Sequence, residues 1–131
     1  MAKLTYSREQ DIITYDSDNG NQYQYECHHD FEEGYNEKGA PRASLPLGTY
    51  TASADEPPTD NGPAYGTFYI NTDDPRGRVI HGGGSSLPDP YAPRQGWLCT
   101  YGCLRMQNED GEELSRLMIA DGNGIELVVE E

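Results

Sequence analysis

The chain has 131 residues, 34% of them hydrophobic, and a formal net charge of -14 at pH 7. That length suits one domain with a single modest core, and we read residues 1–131 as one domain without internal repeats. The charge, with Lys3 and Lys38 as the only lysines, argues against nucleic acid and anionic membranes as partners.

No apolar run approaches the roughly 20 residues of a membrane-spanning helix. The start, Met1 to Tyr6, lacks the charged-then-apolar pattern of a signal peptide. The expectation is synthesis in the cytoplasm, with any export following another route.

Fifteen glycines, nine prolines and ten tyrosines favour strands and long loops over a helix bundle. In chain order, Leu4-Thr5-Tyr6, Asp11 to Tyr15 and Gln22 to Tyr25 predict short strands of an antiparallel meander. Asp16-Ser17-Asp18-Asn19-Gly20-Asn21 is the hairpin turn between the last two. Residues 28–44 are polar and acidic, and read as a loop or a flap on the substrate side. Thr49 to Ser53 is a strand, residues 55–63 with three prolines are a loop, and Tyr65 to Asn71 and Arg78 to His81 are core strands.

A long loop over residues 82–99 follows, with four glycines and three prolines. Asp110 and Glu113 have the spacing of a helix capping box, and Leu114, Leu117 and Met118 then form one apolar helical face. Gly122 and Gly124 stop that helix, and Ile125, Leu127 and Val129 alternate in a final strand.

Two segments carry candidate chemistry. Val79-Ile80-His81 ends a strand in a histidine, and Gly82-Gly83-Gly84 then lets a ligand or another backbone approach closely. Gly102-Cys103 is a tight turn ahead of the helix, with Arg105 two residues on. Cys and His that meet in space make an acyl-transfer pair. A Gly-Cys turn also exposes backbone N–H groups suited to an oxyanion. Arginine pairs bidentately with carboxylates, which makes Arg105 the first candidate to hold a substrate carboxylate and Arg94 the second. Arg78 is set aside, because an odd spacing from His81 turns it to the opposite strand face. Cys27, His28, His29, His81, Cys99 and Cys103 fit no standard zinc spacing, so no metal or other cofactor is expected. Cys99 and Cys103, four apart, are also spaced so that they can pair.

These residues resemble the L,D-transpeptidase catalytic domain family. Leu45-Pro46-Leu47-Gly48-Thr49-Tyr50 is similar to its Pro-x-Gly-x-aromatic strand start, and Val79-Ile80-His81-Gly82 to its apolar-His-Gly strand end. Thr100-Tyr101-Gly102-Cys103-Leu104-Arg105 is similar to its nucleophile turn. The resemblance covers roughly residues 3 to 129.

It implies a mainly β fold, a sandwich of two curved sheets with one short helix after the nucleophile turn. It implies Cys103 as nucleophile, His81 as base and the Gly102 and Cys103 amides as oxyanion donors. Arg105, Thr100, Tyr101 and Gly82 would support the turn or the substrate, a peptidoglycan stem peptide. Two departures stand out. Tyr101 occupies the place of a second histidine, and the gap from His81 to Cys103 is long. The first also occurs in the family's short branch of type VI secretion effectors, which implies action in a competitor's periplasm and an immunity protein as partner. A non-catalytic cell-wall or peptide-binding module on the same scaffold is the alternative.

Overall fold

The structure is a computed structural model that describes residues 1–29, 45–84, 87–97 and 103–131. It is mainly β with one short helix. The elements are β1 (Lys3–Ser7), β2 (Ile12–Asp16), β3 (Gln22–His28), β4 (Gly48–Ala54), β5 (Tyr69–Asn71), β6 (Ile80–His81), β7 (Leu104–Met106), α1 (Asn108–Ala120) and β8 (Ile125–Glu130). One curved sheet runs β3-β2-β1-β8-β4 and the other β3-β7-β6-β5-β4. The two sheets of the expected sandwich therefore join along β3 and β4, and the strand order closes on itself.

Alternation builds the core. In β1 the inward residues are Leu4 and Tyr6, in β2 Ile13 and Tyr15, and in β8 Ile125, Leu127 and Val129. From the second sheet come Ile70, Ile80, Leu104 and Met106. Tyrosine brings a polar tip into this core, and each tip that reaches the helix finds a carboxylate. The Tyr15 hydroxyl donates to Asp121 Oδ2 at 2.5 Å, and that of Tyr25 to Glu113 Oε1 at 2.6 Å.

The helix begins two residues before the predicted capping box, and the box does not form. Gln107 is the N-cap, with no side-chain cap bond. Glu109 N donates instead to Pro93 O at 3.0 Å, so a carbonyl of the preceding loop satisfies an open helix donor. The box residues serve elsewhere: Asp110 accepts from Arg94 at 3.2 Å, and Glu113 from Tyr25. Two predicted strands are also shorter than expected. The stretch before Tyr69 is a turn, closed by Gly66 N donating to Gly62 O at 2.8 Å, with Gly66 at φ +81°. The strand around His81 keeps only Ile80–His81, because the residues before it fold into a separate turn.

Gly111 packs the helix on the sheets. A Cβ there would lie 2.0 Å from the ring of Phe68, which is fully buried. Alanine favours a helix interior over glycine by about 1 kcal/mol. Overpacking a tight core costs about 1–3 kcal/mol or more. Gly111→Ala is therefore expected to lower stability by up to about 2 kcal/mol in urea unfolding; a stabilised variant would show that the contact yields easily.

Candidate active site

Pairing across the second sheet builds the site. His28 on β3 is in register with Arg105 on β7, Arg105 with His81 on β6, and His81 with Tyr69 on β5. These four side chains form one row on the sheet face away from Ile70, Ile80 and Leu104. Aromatic rings cap the row at both ends. Trp97 lies 4.2 Å from His28 between ring centroids, and Tyr65 lies 5.1 Å from His81 and 5.7 Å from Tyr69.

Cys103 sits one step off the row. Leu104 N donates to Val79 O at 3.0 Å, and Val79 N donates to Cys103 Sγ at 3.4 Å. The parallel β6–β7 pairing thus sets Cys103 abreast of Val79, two residues before His81 on the same face. Two residues along a strand span about 7 Å of backbone, within the combined reach of a cysteine and a histidine side chain.

His81 is held as a neutral imidazole. Its Nδ1 is 2.7 Å from Gly82 O. A carbonyl only accepts, so Nδ1 carries the proton and Nε2 presents a lone pair. Burial pushes the imidazole down to about 4, with the nearby Arg105 charge adding to that and the Gly82 bond opposing it. Burial likewise raises the Cys103 thiol above its ordinary value; the Val79 amide and the Arg78 charge oppose the rise, and Asp74 adds to it. At neutral pH the pair rests as thiol and imidazole, both uncharged.

The depressed His81 pKa has a stability consequence. The unfolded chain binds the His81 proton from about pH 6.5 downward, and the folded chain only near about 4. The contribution is therefore complete above about 6.5 and is lost as pH falls toward about 4, by about 3 kcal/mol. His81→Gln is expected to flatten this part of the pH–stability curve in urea titrations between pH 7 and 4.5. Equal slopes in the two proteins would mean that His81 does not carry it. Asp74 and Asp121, held low by their hydrogen bonds, act below that window.

Several sequence expectations change. Arg105, the first candidate for a substrate carboxylate, is only 2% exposed, and its charge is felt by His81. Arg78, set aside in the sequence, is the cation felt by Cys103, and Asp74 grips it at 2.9 and 3.3 Å. Arg94 is engaged by Asp110 and Glu109 on the helix's first turn. Gly82 is buried, a Cβ on it would meet Asn108 Oδ1 at 2.2 Å, and its carbonyl accepts from the His81 ring. Gly102, Thr100, Tyr101 and Cys99 lie outside the described residues, as does the 30–44 part of the expected flap.

Reading residues one at a time misses Tyr65, Tyr69 and Asn108. The fully buried Asn108 accepts from Thr67 N at 3.3 Å and donates to Pro90 O at 2.9 Å and Ala92 O at 2.8 Å, tying both site loops to the helix. A polar residue two positions past a buried strand and first in an amphipathic helix is the only local signal for it. Among the described residues, no group of three or more His, Cys, Asp or Glu is placed to hold a metal ion. His28 instead lies against Glu26 at 2.6 Å and Asp11 at 3.7 Å.

The closed β scaffold thus sets His81, at the end of β6, and Cys103, just ahead of β7, at neighbouring parallel strands, the residue types of a cysteine acyl-transfer site. The YkuD family model, the L,D-transpeptidase catalytic domain, matches residues 4–123, and the chain belongs to that family. The fold is similar to that of the helical cell shape determining protein Pgp2 of Campylobacter jejuni, at 17% identity and a TM-score of 0.63, over 99% of this chain and 47% of that one. It is also similar to an L,D-transpeptidase from Xylanimonas cellulosilytica, at 17% identity and 0.62, over 98% and 59%. A third similar fold is an L,D-transpeptidase from Mycobacterium tuberculosis, at 22% identity and 0.53, over 99% and 57%. The chain spans about half to three-fifths of the length of these structures. No curated protein matches it. The family match makes this an L,D-transpeptidase-type catalytic domain, and the solved structures share its fold.

Proposed function

We propose that this domain modifies peptidoglycan stem peptides through a cysteine acyl-enzyme, with Cys103 as nucleophile and His81 as base. The observation that supports the reading is the β6–β7 register, with Cys103 abreast of Val79, two residues before a His81 whose Nδ1 is bonded to Gly82 O and whose Nε2 is left unprotonated. His81 Nε2 takes the thiol proton as Sγ attacks the carbonyl between the diamino acid and the terminal D-alanine. The tetrahedral oxyanion is held by the amides of Cys103 and Gly102. Its collapse breaks the C–N bond, and the departing D-alanine amine takes the proton from His81. The thioester then passes to an amine, giving transfer or D-amino acid exchange, or to water, giving L,D-carboxypeptidase activity. Thr100 and Tyr101 support the substrate beside Cys103.

The finer setting belongs to the same proposal. Tyr101, in the place of the family's second histidine, supports kinship with its type VI secretion effector branch. Under that reading the protein is exported as a toxin into a competitor's periplasm, and an immunity protein protects the producer.

Mass spectrometry of purified tetrapeptide fragments incubated with the protein and a D-amino acid tests the chemistry. Loss of the terminal D-alanine, or its replacement, is expected. Unchanged fragments, with or without acceptor, would favour the non-catalytic binding module.

A further inference from the structure

Ahead of β6 the chain ties itself into a small buried knot. Asp74 Oδ2 accepts from the Arg78 backbone N–H at 3.0 Å and from Arg78 Nε at 2.9 Å, and Oδ1 accepts from Nη2 at 3.3 Å. Gly77 N donates to Asp74 O at 2.9 Å, with Gly77 at φ +75°. Within the knot the hydroxyl of Thr72, a fully buried side chain, donates to the Arg78 carbonyl. That carbonyl and the Val79 N–H are two ends of one planar peptide group. The N–H end points at the Cys103 sulfur.

We propose that Thr72 is a positioning residue for the nucleophile: its hydroxyl holds and polarises the 78–79 peptide, whose N–H stabilises developing negative charge on Cys103 Sγ. The proposal rests on Cys103 being the reactive thiol. Donation to a carbonyl strengthens the donor at the other end of the same amide. A trans peptide pinned at its oxygen also cannot rotate its N–H away from the sulfur. Asp74 and Arg78 hold the same segment by charge. The charges of Arg78 and Asp74 on this turn act on Cys103, Tyr69 on β5 is coupled to it, and His81 on β6 and Arg105 on β7 share its sheet face.

The test is the pH dependence of Cys103 alkylation by iodoacetamide, resolved from Cys27 and Cys99 by peptide mass spectrometry. It needs no stem peptide, so its outcome is separate from that of the turnover reading. Thr72→Val removes the hydroxyl at nearly constant shape. It is expected to slow Cys103 alkylation at pH 8 by about 2- to 10-fold and to move the profile to higher pH. Thr72→Ser keeps the hydroxyl and is expected to restore the wild-type profile. Should Thr72→Val fail to fold, Thr72→Ala against Thr72→Ser isolates the same hydroxyl, with the same slowing expected for alanine. A wild-type profile in the folded hydroxyl-less variant, or equal slowing in Thr72→Ser, would overturn the proposal.

Discussion

Cys103→Ala is expected to abolish stem-peptide turnover while leaving the fold intact. The sulfur sits just ahead of β7, only partly buried, and it accepts from Val79 N. Removing it deletes no core contact of the kind made by Leu104 or Met106, both of which belong to the main hydrophobic cluster. Melting within a few degrees of wild type should therefore accompany the loss of activity. Cys27→Ala is expected to keep turnover, because its thiol is fully buried against Met106 on the inner face, and burial holds its pKa well above the ordinary value. Cys99→Ala is expected to keep it as well. Alkylation should follow the same order, with Cys103 modified much faster than Cys27. Turnover surviving in Cys103→Ala would remove the covalent mechanism altogether.

His81→Gln is expected to cost at least two orders of magnitude in turnover, since general acid–base assistance is worth about 100- to 10,000-fold. The resting pair makes the base indispensable. With the thiol raised and the imidazole lowered, little thiolate exists at neutral pH, so the proton must leave during attack. This differs from a thiolate–imidazolium pair, in which the nucleophile is charged before substrate arrives. Glutamine fills much of the same space beside Tyr65 but offers no basic nitrogen. His28→Ala and His29→Ala should cost little in rate, because His28 stands at the far end of the row, beyond Arg105, and His29 lies beside Asp11 and Tyr6. Comparable losses at all three histidines would indicate that they act as one unit, contrary to the acid–base assignment.

Much of the scaffold is legible along the chain. The meander of β1, β2 and β3, the turn at 16–21, the helix through Leu114 and Met118, and β8 all follow from local signals. Alternation with period two and helical spacing are properties of a few consecutive residues, so no distant partner is needed to read them. His81 at a strand end and Cys103 just before a strand are legible for the same reason.

The helix start shows where local reading stops. Asp110 and Glu113 have the spacing of a cap, but a loop carbonyl, Arg94 and Tyr25 compete for the same groups, and only the folded chain decides between them. The arginines show it more sharply. Arg105 is almost fully buried, with its charge acting on His81, and in a turn closed by Asp74 the Arg78 charge acts on Cys103, which strand alternation alone does not suggest. Types and spacings in the sequence determined that a cysteine, a histidine and a β scaffold were present. Which cation serves which group, and that His28, Arg105, His81 and Tyr69 share one row, depended on the register between strands far apart in the chain. Register comes from long-range packing and pairing, and a shift of one residue would turn every one of those side chains to the opposite face.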